Sequence, residues 1–142
     1  MASELRVDTL KDSSGNNSIG MAYVAGGSSK AWVNFNGTGT IAARDSLNLS
    51  SLTDNAAGDY TVTFSSALGN TNYAPTGMQQ IGITSTDAAL TSVMIRTNTN
   101  ASGTATTMTT TANRIVTKYV STSNLNENDS AIVTYKTDGD LA

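Results

Sequence analysis

The stretch KAWVNFNGTGTIAARDSLNLSSLTDNAAGDYTVTF (residues 30–64) decides the fold class. In AWVNF, Ala31, Val33 and Phe35 share one side of an extended chain, and Trp32 and Asn34 share the other. YTVTF repeats the pattern: Tyr60, Val62 and Phe64 point one way and Thr61 and Thr63 the other. NGTG (36–39) is a turn signal, and IAAR (41–44) reads as a short returning strand. In LNLSSLT (47–53), Leu47 and Leu49 are in phase and Leu52 is out of phase. That slip predicts a bulge near Ser50 and Ser51. DNAAGD (54–59) reads as a loop, so LNLSSLT and YTVTF form an expected antiparallel hairpin. The core expected from this stretch is Val33, Phe35, Leu47, Leu49, Tyr60, Val62 and Phe64.

The same grammar continues to the C-terminus. GMQQIGIT (77–84), LTSVMIRT (90–97), RIVTKYV (114–120) and AIVTYKT (131–137) read as strands, with ATTMTTT (105–111) as a Thr-rich edge strand. SSALGNTNYAP (65–75), NTNASGT (98–104) and STSNLNENDS (121–130) read as connections. No segment carries a helical period. Short strands with regularly spaced turn signals predict an all-β chain, an antiparallel, jelly-roll-like β-sandwich.

Residues 1–29 are different in kind. Two thin apolar patches, Leu5, Val7 and Leu10, then Met21, Tyr23 and Val24, flank the loop formers KDSSGNNSIG, and AGGSSK follows as a flexible link. The division expected is an extended N-terminal anchor segment over 1–29, with Leu5, Val7 and Leu10 as its gripping residues, and a sandwich over 30–142.

Composition fits that reading. Only 13% of the 142 residues are charged, and the net charge is −3. Thr, Ser and Asn make up 54 residues, a neutral, hydroxyl-rich surface. With eight basic residues no nucleic-acid surface is expected. No apolar run reaches the ~18 residues of a membrane span. The opening residues lack a signal-peptide core, so synthesis in the cytoplasm is expected. Edge strands with so few lysines and glutamates invite pairing, which favours an oligomer.

His and Cys are both absent, which removes the usual zinc ligands, the Ser–His pair and the thiol nucleophile. Paired carboxylates remain as a catalytic option, with Asp45, Asp54, Asp59, Asp87, Glu127, Asp129, Asp138 and Asp140 as candidates. Most sit beside Gly, Asn or Ser, where Asp caps turns. NLNENDS (124–130) and TDGD (137–140) offer oxygen ligands without a calcium-loop spacing. No catalytic residue, metal or cofactor is therefore expected. Tyr60 and Tyr135 are in phase with apolar neighbours and read as core. Trp32 and Tyr73 are the aromatic candidates for surface contact, with a sugar ring or with another subunit.

KAWVNFNGTGT (30–40), ARDS (43–46), the N-S-S-LTDN run (48–55), GDYTVTF (58–64) and NTNYA (70–74) stand in an order that resembles a module of fibre-type virion proteins of tailed phages, especially marine and freshwater cyanophages. The opening ASELRVDTLKDSSG (2–15) also looks like the N-terminus of such proteins, whereas residues 77–142 match mainly in style. The resemblance implies a β-sandwich-like domain, commonly trimeric, displayed on the virion and without catalytic residues. It implies a short tail fibre or tail-fibre-like part, held by other virion proteins through residues 1–29 and touching a host surface glycan. A capsid decoration protein is the alternative within that class, and a free carbohydrate-binding module the alternative outside it.

Overall fold

The computed structural model describes residues 3, 5–80, 91–95, 108–121 and 124–142. The chain runs β1 (Thr9–Lys11), β2 (Ser18–Gly20), α1 (Met21–Gly27), β3 (Ser29–Asn36), β4 (Ala42–Leu47), β5 (Leu49–Ala56), β6 (Asp59–Phe64), β7 (Ala74–Gln80), β8 (Thr91–Ile95), β9 (Ala112–Ser121), β10 (Asn124–Glu127) and β11 (Ile132–Asp138). Sheet I has the order β4-β3-β11-β7. Sheet II has the order β10-β9-β6-β5, with β8 also on β9. Every pairing is antiparallel. The protein is an antiparallel β-sandwich, as the alternation predicts. A jelly roll would require two Greek keys, and the described strands establish the two sheets alone.

The core is the meeting of the two period-2 faces. Sheet I contributes Ala31, Val33 and Phe35 from β3 and Val133 and Tyr135 from β11. Sheet II contributes Tyr60, Val62 and Phe64 from β6 and Ile115 from β9. Each of the larger aliphatic and Phe side chains so buried is worth ~1.5–3 kcal/mol. Phe35 meets Tyr60 edge-on, with ring centroids 5.1 Å apart. Asn113 donates to the Tyr135 hydroxyl at 3.0 Å and joins the two sheets through a buried polar bond. Burial pushes the Tyr135 phenol up to about 12, so it stays protonated as an acceptor for Asn113.

The predicted bulge is present: the β5–β6 register shifts between Leu49 and Ser51. Leu47 departs from expectation. It closes β4, which pairs with β3 in sheet I, and it is 48% exposed. Asn48, at φ 56, breaks the extended run between β4 and β5. It is held there by Ser66 N–H donating to its Oδ1 at 2.7 Å and by its Nδ2 donating to Ser66 O at 3.1 Å. The two leucines therefore belong to different sheets and the period does not carry across. Leu49 and Leu52 are both half-buried against the core.

Four other expectations change. MAYVAGG forms a seven-residue helix, α1, with no side-chain cap and no buried residue. STSNLNENDS contains a strand, β10, that pairs with β9. Pro75 lies inside β7, which ends sheet I, and an edge strand is where proline is tolerated in a sheet. Residues 108–111 form no strand; Thr109 instead caps Ala112, accepting its N–H at 2.9 Å. Residues 81–84 and 98–107, and with them the end of one expected strand, an expected loop and part of ATTMTTT, lie outside the described residues.

The sheet ends carry guards that composition alone does not reveal. β4 has a register shift against β3 and bears Arg44 and Asp45, β5 has two shifts against β6, and β7 has Pro75. Bulges, charges and proline each discourage edge pairing. Edge-to-edge assembly is thus opposed at these three strands despite the scarcity of charge.

Within the N-terminal segment β1 and β2 form a hairpin organised by Asp12. Its carboxylate accepts from the Ser14, Asn16 and Asn17 backbone amides at 3.1, 3.0 and 3.3 Å, and from Asn17 Nδ2 at 2.7 Å. The Asn17 side-chain bond, with the backbone bonds behind it, holds the Asp12 carboxyl below the usual carboxylate range. A depressed native value means that its support for the turn is complete above the free-Asp value of about 3.9 and is lost as pH falls through the native value. The Ser14, Asn16 and Asn17 amide resonances should therefore shift together in an acid NMR titration, with a midpoint below about 3.9. A midpoint at or above it would mean that Asp12 does not organise the turn.

Candidate functional site: the outer face of sheet I

The inward row of β3 leaves Trp32 and Asn34 on the outer face, and β11 and β7 extend that face by register. Trp32 pairs with Leu47 on one side and Lys136 on the other, and Lys136 pairs with Thr76. The next row runs Asp45, Asn34, Thr134, Met78. Directly paired residues present their side chains on one face. Trp32 is half-buried, and Met78 is 75% exposed. A shallow concavity of about 490 Å³ lies over Trp32, Asn34, Thr76, Met78, Thr134 and Lys136.

The polar groups around the Trp32 ring are held in place by partners of their own. Arg44 donates to Asn34 Oδ1 at 3.2 Å and also reaches the Ala131 carbonyl. Thr134 donates its hydroxyl to the Met78 carbonyl at 3.3 Å. Lys136 pairs with Asp138 at 3.0 Å, and Asp138 accepts from the Ser29 hydroxyl at 2.9 Å. The Lys136 ammonium, with the Ser29 bond behind it, holds the Asp138 carboxyl below its ordinary value. Arg44 bonds across the bulge rather than to its neighbour Asp45, whose Oδ1 accepts from the Ser46 amide.

Tyr73, the other aromatic contact candidate, is only 4% exposed. It packs edge-on to Phe64, and its hydroxyl donates to the Thr109 carbonyl at 3.0 Å. An isolated Tyr in a loop gave no phase by which its burial could be read. Of the expected anchor residues, Leu5 is 81% and Leu10 43% exposed, and Val7 is half-buried. Ile19 and Tyr23, which sequence reading did not place among the gripping residues, are exposed on the same N-terminal unit. A second concavity, of about 970 Å³, separates the end of α1 from the sandwich and is lined by Ala25, Lys30, Leu47, Leu49 and Leu141 among others.

Three further candidate carboxylates, Asp59, Asp129 and Glu127, have structural partners. Asp59, 2% exposed, accepts two bonds from Arg114, at 2.7 and 2.6 Å. Asp129 accepts from Gly58 N–H and the Tyr60 hydroxyl at 2.7 and 2.8 Å. Glu127 lies 3.4 Å from Lys118. Asp87 lies outside the described residues. Among the described residues no three of Asp, Glu, His and Cys gather as metal ligands, and no helix is long and apolar enough to cross a membrane.

No protein-family model, curated protein or solved structure matches this chain.

Proposed function

We propose that the chain is a non-enzymatic structural part of a tailed-phage virion, a short tail fibre or tail-fibre-like component. Residues 1–29 fasten it to other virion proteins, and the sandwich is displayed toward the host surface. The observation that carries this reading is the division of apolar surface. The sandwich closes its core from β3, β6, β9 and β11 together with Leu68 and Tyr73, all beyond residue 29. Among the described residues the N-terminal unit adds none to that core, and it presents Leu5, Leu10, Ile19 and Tyr23 to solvent. Exposed apolar side chains grouped on one unit mark an interaction site. The phage-fibre resemblance of residues 30–74 supplies the setting.

The guarded strands direct assembly away from edge pairing and toward the N-terminal unit or the sheet faces. A homotrimer fits the resemblance, and mass photometry reads it directly as three times the 14.7 kDa chain mass. A stable monomer would instead favour a free carbohydrate-binding module. Cryo-electron microscopy of purified particles tests the main reading. The expected density shows the hairpin and α1 packed into a neighbouring virion protein, at the tail for a fibre or on the capsid for a decoration protein. Recovery of the chain from infected cells but never from purified particles would overturn it.

A further inference from the structure

We infer that the outer face of sheet I, centred on Trp32, is a binding site for a neutral saccharide. This rests on the reading of a displayed domain that touches the host surface, and it deepens that reading by naming the face and the ligand class. A sugar ring has an apolar C–H side and a rim of hydroxyls, so its receptor needs an aromatic platform ringed by fixed hydrogen-bonding groups. The face supplies both. Trp32 lines the concavity, and by register the polar residues Asn34, Thr134 and Lys136 surround it as a rim. Each rim group is oriented by a partner that is not the ligand: Arg44 for Asn34, the Met78 carbonyl for Thr134 and Asp138 for Lys136. With Oδ1 of Asn34 engaged by Arg44, its amide NH₂ is the end available to a ligand hydroxyl. Groups held in advance lose little freedom on binding.

Charge selects among ligands. Arg44 and Lys136 are matched on this face by Asp45 and Asp138, and Lys136 is directly paired. A sulfated or phosphorylated glycan would find Lys136 already neutralised by Asp138 and Arg44 already engaged by Asn34 Oδ1 and the Ala131 carbonyl. A second copy of the chain fits less well. A stable subunit contact needs ~800 Å² from each partner with an apolar centre. Here Trp32, Met78 and the edge residue Leu47 are set among Asn34, Asp45, Thr76, Thr134 and Lys136.

Trp32 is the chain's only tryptophan, so its emission reports this face alone. The test titrates the full chain with neutral hexasaccharides of glucose, galactose, mannose and N-acetylglucosamine, with a heparin hexasaccharide as the anionic counterpart. At least one neutral sugar should change the emission saturably. By calorimetry, Trp32→Ala should weaken that sugar by about tenfold or more. Tyr23→Ala, which removes an exposed aromatic on the N-terminal unit, should leave the affinity unchanged. Met78→Arg alters a side chain already in solvent, so it should block the face without disturbing folding and gives the answer if the Trp32 variant fails to fold. Saturable response to no neutral sugar, response to heparin alone, or affinity that survives Met78→Arg would each overturn the inference. So would an oligomer that Met78→Arg dissociates, because the face would then be a subunit contact. All of these are read on isolated protein, so their failure is distinct from absence of the chain in virions.

Discussion

Gly58→Ala is expected to cost about 3 kcal/mol or more and to lower the thermal midpoint by roughly 10 °C. Gly58 turns the chain from β5 into β6 at φ +67, a left-handed conformation that costs a residue with a Cβ ~1–2 kcal/mol. Sterics add to this. A Cβ there would lie 2.5 Å from Asn128 N and 2.8 Å from Thr117 O. Both are backbone atoms and cannot rotate away. The turn is also bonded to these segments: Thr117 N–H donates to Gly58 O at 2.8 Å, and Gly58 N–H donates to Asp129 Oδ1 at 2.7 Å. Moving the turn outward to make room would stretch both bonds. Gly58→Asn separates the two causes, because Asn tolerates the left-handed region but keeps its Cβ. The collision account requires Asn to be nearly as damaging as Ala in a thermal melt. Recovery of most of the midpoint by Asn would leave backbone strain as the whole effect.

That turn lies within DNAAGD, where sequence reading saw only a loop. The alternations in AWVNF and YTVTF gave the inner faces of β3 and β6, and the out-of-phase Leu52 gave the bulge. These are local signals, since each residue's side follows from its neighbours in the same strand. What was hidden depended on partners distant in sequence. Leu47 could not be placed without knowing that Asn48 ends one sheet and begins the other. β10, NLNE, has a single apolar residue, Leu125, too little for a period to be read, and is a strand because β9 supplies its hydrogen bonds. Asp59 reads as a turn residue until Arg114 is seen beside it. The Trp32 site was half legible. Its outward direction followed from the phase, as did that of Asn34, whereas Thr134 and Lys136 of its rim required the register of β11 against β3.

Tyr60→Ala should be among the most damaging single changes, at ~3–5 kcal/mol, because it empties a fully buried position against Phe35 at the middle of the sandwich. Tyr60→Phe isolates the hydroxyl and should cost ~1–3 kcal/mol. That hydroxyl lies 2.8 Å from Asp129 Oδ1 and 3.1 Å from the Gly37 carbonyl. It has one proton, and the shorter contact to a carboxylate is the stronger bond. Burial first, and the Asp129 bond second, push the Tyr60 phenol above its ordinary range, so the proton stays in place at any pH at which the protein is handled. Removing the hydroxyl leaves Asp129 with Gly58 N–H, so the loss should be smaller than for an orphaned charge. The same hydroxyl explains the glycine in NGTG. A Cβ on Gly37 would collide with it and would also lie 2.9 Å from Tyr60 Cζ and from Ser130 O. Gly37→Ala should therefore cost less in the Tyr60→Phe background than in the natural chain, a coupling that a double-mutant cycle in urea measures. Strictly additive costs would mean that Gly37 is required by the Ser130 carbonyl and the ring carbon, and that the hydroxyl has no part in the turn.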